Sequence, residues 1–193
     1  MKLSQFMDNA FTGLEAAIVL IAFVVVAAVF SYVVLGSGFL TTQKSQEVVH
    51  AGVATASSTI QLCGDVYGVG TDGVSMDMYN FSVSLAAGST PIDFDKVTIT
   101  YSNESWAETL DPVTGLRSYS TTPGSWCITG VSGEIGASNN LLEKGEQFTI
   151  SAHPKFGAPK NTDLTLEVKP GIGSSMSIHR SAPPSIKTVN LIY

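Results

Sequence analysis

The chain has 193 residues, 44% of them hydrophobic and only 13% charged, with a net charge of −6. That suits one ordinary globular domain plus one hydrophobic helix. Ten scattered Lys and Arg form no basic stripe, which argues against a nucleic-acid surface, and the acidity is far below what a surface adapted to saturated salt requires.

Residues 1–13, MKLSQFMDNAFTG, form a short polar leader with one lysine, Lys2. The apolar stretch comes after it, the reverse of a secretory signal peptide in which the apolar stretch precedes the cut. From Leu14 to Leu40 the sequence is LEAAIVLIAFVVVAAVFSYVVLGSGFL, with no formal charge between Glu15 and Lys44. About twenty apolar residues at 1.5 Å each reach roughly 30 Å, the hydrocarbon thickness of a bilayer. Val19, Leu20, Ile21, Phe23, Val24, Val25 and Val26 point in every direction around a helix, so its surroundings must be apolar on all sides, lipid or other helices.

Beyond Thr41, apolar Val48, Val49, Gly52, Val53, Ala56 and Ile60 recur at spacings of three to four, which marks one helical face. The expected helix therefore runs through residues 14–62. Gly36 and Gly38 lie inside it, each costing roughly 1 kcal/mol relative to Ala.

Residues 63–193 change character. Turn residues punctuate short β-rich segments, the clearest being Tyr79–Leu85, Val97–Tyr101, Trp126–Thr129, Phe148–Ala152, Leu164–Val168, Met176–His179 and Ile186–Ile192. In YNFSVSL, Tyr79, Phe81, Val83 and Leu85 share one face. Many short strands with no second helical pattern predict a β-sandwich. The fold class is α+β: a long hydrophobic helix followed by an Ig-like β-sandwich head. Ser- and Gly-rich residues 131–139, with Ser138 among them, read as an exposed loop.

Several motifs carry chemistry elsewhere. Gly68–Gly73 spells GxGxxG, but a strand pattern rather than a helix follows, so it reads as a turn. Asn80-Phe81-Ser82 and Asn103-Glu104-Ser105 are N-glycosylation sequons. Asn80 falls on the polar face of its strand. Asp77, Asp93 and Asp95 offer oxygen ligands without the spacing of a calcium loop, and solvent-facing carboxylates are the plainer reading. Cys63 and Cys127 have no metal-ligand spacing; in an exported protein they either pair or serve as two small buried hydrophobes. His50, His153 and His179 are isolated, and no nucleophile signature is found. No catalytic, metal, cofactor or small-molecule site is expected.

The segments GLEAAIVLIAFVVVAAVFSYVVLGSGF and TTQKSQEV, together with LLEKGEQFTI (141–150) and LTLEVKPGIGSSMSIHRSAPPSI (164–186), resemble the archaeal flagellins, or archaellins. The fifth residue after Gly13 is Ile18 where bacterial-type pilins usually carry Glu, and this favours archaellin over pilin. The resemblance implies a class III signal peptide, cut between Gly13 and Leu14 by a prepilin-type aspartyl peptidase. It implies a membrane-inserted precursor, an ATP-driven assembly platform, and N-glycosylation at Asn80 and Asn103. It further implies an extracellular filament for swimming, a homopolymer or one shared with paralogous subunits, whose core holds Ile18, Leu20, Ile21, Phe23, Val25, Val26 and Phe30. Two alternatives stand beside it: an adhesive type IV-like pilin and a surface binding domain on a permanent membrane anchor.

Overall fold

A computed structural model describes residues 2–134 and 136–193, and of residues 2–12 the backbone only. The chain separates into two compact units, residues 1–51 and 52–193. Its elements are α1 (Lys2–Ser57), β1 (Ile60–Val69), β2 (Ser75–Met76), β3 (Met78–Leu85), β4 (Ile92–Asp93), β5 (Thr98–Asn103), β6 (Ala107–Pro112), β7 (Ser125–Ser132), β8 (Leu141–Leu142), β9 (Gln147–His153), β10 (Ala158–Pro159), β11 (Asp163–Lys169), β12 (Met176–Ser181) and β13 (Val189–Ile192). A 3-10 turn, Phe94–Lys96, precedes β5.

Helix α1 is continuous through Gly36 and Gly38. It ends earlier than the apolar spacing predicts. Ile60 and Leu62 do not extend the helical stripe; they are strand residues of β1, opposite Leu85 and Val83 of β3. The register places Ile60 in the head core, 3% exposed, and a burial of this size outweighs the weak local preference for helix.

The head is a two-layer β-sandwich. One continuous nine-stranded sheet of order β12-β11-β5-β6-β7-β9-β3-β1-β13 folds over at β6 to make both layers. β6 joins them: residues 107–110 run antiparallel to β5, then Asp111 and Pro112 pair in parallel with Ser125 and Trp126 of β7. A strand that changes sheets makes the corner of a sandwich. β6 escaped prediction because AETLDP carries little β propensity; Leu110 is its only buried residue. The alternation in β3 is borne out, with Tyr79, Phe81, Val83 and Leu85 inward. Facing them are Ile99 and Tyr101 of β5 and Leu164, Leu166 and Val168 of β11. Phe94 meets Phe148 and Trp126 edge-on, with centroids 5.0 and 6.4 Å apart.

Within the head unit, the two residues after α1 are held on both sides. Ser174 N–H donates to the Ser58 carbonyl at 3.1 Å, Ala86 N–H to the Thr59 carbonyl at 3.0 Å, and Thr59 N–H to Ser89 Oγ at 3.2 Å. Ser58 is 2% exposed, and its Oγ lies 2.5 Å from Thr90 Oγ1. Gly173 has φ +119 and approaches the Ser58 carbonyl so closely that a Cβ has no room. Glycine at this hairpin tip is therefore required both for conformation and for approach.

Candidate functional site

The surface that sets this chain apart is α1. Gly13–Ser57 is helix long and apolar enough to cross a membrane, and none of its most apolar window is buried. Phe23 and Phe30 are 70% and 71% exposed, and Ile18, Leu20, Ile21, Val25 and Val26 are all more than half exposed. They occupy all sides of the cylinder, as their spacing requires. Three hydroxyls near the end of the stretch are bonded back to the helix. Ser37 Oγ donates to the Val34 carbonyl at 3.0 Å, Thr41 Oγ1 to Ser37 at 2.8 Å, and Thr42 Oγ1 to Gly38 at 2.9 Å. Hydroxyls satisfied this way enter apolar surroundings without an unpaired donor. The first ion pair after the stretch is Lys44–Glu47 at 2.6 Å. It is exposed on both sides and so contributes little to stability. Gly13 and Leu14 lie within the same helix; the side chains before Gly13 lie outside the described residues.

In the head, Cys63 and Cys127 are free thiols, which corrects the pairing as an option. Cys63 is on β1 and Cys127 on β7, with β3 and β9 between them. Three strand spacings amount to about 14 Å, twice the largest Cα separation that a disulfide bridges. Cys63 Sγ instead lies 2.9 Å from Ser84 Oγ, and Cys127 is buried.

The three aspartates are not brought together. Asp93 pairs with Lys96 Nζ at 2.9 Å, and this contact holds its carboxyl below the ordinary value. Asp95 accepts from Asn140 Nδ2 at 2.9 Å, and Asp77 accepts from the hydroxyls of Thr71 and Ser75. Among the described residues no three His, Cys, Asp or Glu side chains are grouped to hold a metal. The GxGxxG run closes β1 and turns towards β2.

The two sequons fall in unlike places. Asn80 sits in the middle of β3, between β1 and β9, half-buried with Oδ1 shielded and unpaired. Asn103 ends β5, where the chain turns into β6. Its Oδ1 accepts the N–H groups of Ser105 and Trp106 at 2.9 and 2.7 Å.

Sequence reading missed a loop clamp. Arg117 NH1 donates to Glu134 Oε1 at 2.5 Å and to Ser138 Oγ at 2.6 Å, and NH2 donates to the Asn139 carbonyl. The guanidinium lies 5.4 Å from the centre of the Phe148 ring. Ser138 is thus tied to the clamp rather than idle in a loop. A lone Arg between two glycine-rich segments was the only sign of it.

The comparisons with known proteins agree with this anatomy. A profile of archaeal-type flagellin matches residues 10–180. Probable flagellin 1 of Archaeoglobus fulgidus is 40% identical over 193 residues, covering 96% of this chain and 95% of that protein. Among solved structures, the archaeal flagellum of Methanospirillum hungatei strain JF1 aligns with a TM-score of 0.72 at 34% identity, over 94% of this chain and 99% of that one. Archaeal flagellin FlaB1 from Methanocaldococcus jannaschii, at 18% identity and a TM-score of 0.59 over 70% of this chain and 96% of that one, shares the fold. With an apolar helix, a β-sandwich head and a profile match across most of its length, the chain belongs to the archaeal-type flagellin family and is a structural subunit of the archaeal flagellum.

Proposed function

We propose that the subunit polymerises through α1, after cleavage between Gly13 and Leu14, into a filament whose core is a bundle of these helices and whose wall is made of heads. The observation that carries this reading is the charge-free, exposed, all-round apolar helix between Glu15 and Lys44. Moving a Val, Leu, Ile or Phe side chain out of water is worth roughly 1.5–3 kcal/mol. The helix therefore has two stable surroundings, lipid before assembly and its own copies afterwards. Both are apolar, so leaving the bilayer gains little by itself. This is the physical reason to infer an ATP-driven assembly platform beside the prepilin-type aspartyl peptidase. The work is mechanical: the subunit lengthens a helical surface filament for swimming.

The test is a charge in the middle of the helix. Val25→Asp places an ion where lipid and helix bundle both oppose it, at a cost of roughly 2.5–3.5 kcal/mol on the membrane-insertion scale. Electron microscopy of sheared surface filaments should show none from this variant, while the unaltered subunit gives filaments whose protein begins at Leu14. Ordinary filaments from Val25→Asp would overturn the bundled core and favour a membrane-anchored monomer.

A further inference from the structure

We infer that Asn103, rather than Asn80, carries an N-linked sugar, and that the first ring of that sugar lies in the hollow beside it that Trp106 and Phe156 line. The inference rests on the reading above only in placing the head outside the cell.

Three observations converge on Asn103. Its carboxamide sits in the turn between β5 and β6, with exposed Glu104 and Ser105 completing the sequon. Its Oδ1 accepts two backbone N–H groups, from Ser105 and Trp106. These polarise the amide and fix its plane, so the nitrogen is presented in one orientation. Nδ2 donates one hydrogen to Tyr101 Oη at 3.2 Å. A primary amide has two such hydrogens, and the second meets no protein acceptor among the described residues.

Beside this amide is a hollow of about 290 Å³, lined by Asn103 itself, Trp106 and Phe156. The two rings meet edge to face at 4.9 Å, and they are 43% and 57% exposed. An exposed pair of large aromatics in contact is the kind of apolar patch that marks a binding surface. The volume is at the small end of the roughly 300–1,000 Å³ range of small-molecule sites, enough for one or two sugar rings. A pyranose suits it chemically. Its C–H face is weakly positive and packs on the negative face of an aromatic ring, while its hydroxyls meet Glu104 and Thr162 at the rim. The occupant is named by its tether, because the amide that would bear it is part of the wall.

Asn80 lacks all of this. It lies within the central strand β3, hydrogen-bonded to β1 and β9 on either side. Its Oδ1 is out of solvent with no partner. A transferase cannot take up a strand whose two edges are already paired.

The sugar donor is a sugar bearing an anomeric phosphate ester, and a separate enzyme makes the transfer. Asn103 Nδ2 attacks the anomeric carbon, and a C–N bond forms. The C–O bond to phosphate breaks, the phosphate leaves with the electron pair, and Nδ2 gives up one proton to a base.

The experiment uses the full chain from cells that make it, whether recovered in filaments or in the envelope, so a failure to polymerise leaves the readout intact. Glycopeptide mass spectrometry should find Asn103 modified and Asn80 bare. Ser105→Ala destroys the sequon while keeping Asn103 and its turn. Acrylamide quenching then reports the hollow, since Trp126 is 1% exposed and only Trp106 is open to the quencher. Trp106 quenching should be lost in the modified chain and restored in Ser105→Ala. An unmodified Asn103, or a modified Asn80 in its place, overturns the site. A modified Asn103 with equal quenching in both proteins overturns the hollow as the sugar's seat.

Discussion

The ring of Tyr79 stacks on that of Tyr101, with centroids 5.5 Å apart and planes 24° from parallel. Tyr79 belongs to β3 and Tyr101 to β5, so the stack is a point at which the two layers of the sandwich touch. Tyr79 Oη donates to the Met76 carbonyl and accepts from Ala158 N–H, both at 3.0 Å. One hydroxyl thereby ties the small β2–β10 pair to the core, and burial pushes its ionisation well above the ordinary tyrosine value.

Tyr79→Phe keeps the stack and strips both bonds. A buried carbonyl and a buried N–H then lose their partner, at a cost of about 1–3 kcal/mol. Thermal or urea unfolding of the isolated head should show that loss, with near-ultraviolet dichroism retained. Unchanged stability would mean that water replaces the hydroxyl.

The start of the head is a second test. A head beginning at Cys63 lacks Ile60 and Leu62, which pair with Leu85 and Val83. One beginning at Ser58 keeps them and the clasp around Ser58 and Thr59. Losing fully buried Ile60 costs roughly 1.5–3 kcal/mol, and partly buried Leu62 adds less. The longer head should therefore unfold at clearly higher denaturant concentration, and equal midpoints would argue against β1 as observed.

Gly173 and Gly88 both have positive φ, but a Cβ on Gly88 has open space around it, whereas one on Gly173 meets Ser58. Gly88→Ala should cost about 1–2 kcal/mol from conformation alone. Gly173→Val adds a steric clash and should cost a further 1–3 kcal/mol, roughly that of an overpacked core. Comparing the two by unfolding separates backbone strain from close approach.

Arg117 holds the Glu134 carboxyl below the ordinary glutamate value of 4.5. A carboxyl lowered by folding stabilises the folded state above its unfolded value, and the effect disappears as pH falls through the folded one. The clamp should therefore open on acidification below about pH 4.5, seen as increased amide exchange in residues 133–140. Glu134→Gln should abolish that pH dependence. Ser138→Lys brings a like charge to Arg117 and should loosen the same loop at neutral pH, whereas Ser138→Asp should not.

Processing gives the last test. Gly13→Phe should leave unprocessed protein in the membrane fraction and no filaments, as judged by immunoblot and microscopy. Normal filaments would count against the cut after Gly13.

The helix was legible because twenty apolar residues without a charge admit few structures, and β3 was legible because its alternation is strict. The end of α1 was not. Ile60 satisfies the helical stripe as well as it satisfies β1, and only its partner Leu85, far along the chain, decides between them. β6 was hidden because its pairing comes from neighbours rather than from its own residues. The sequons were visible as triplets, but nothing local separates Asn80 in a central strand from Asn103 in a turn. Trp106, directly after the second sequon, reads from the sequence as sandwich core or strand-edge packing, and Phe156, fifty residues on, is not readable as its neighbour.

The hydroxyls of Ser37, Thr41 and Thr42 end on carbonyls of the same helix. At these three positions the helix asks nothing of its surroundings except fit. Exchanging lipid tails for neighbouring side chains then breaks no hydrogen bond at these three hydroxyls and forms none, so they set no enthalpic gate on that step. What distinguishes one environment from the other is shape, so single methylenes along Ile18–Phe30 should govern how firmly subunits hold together more than any polar residue there.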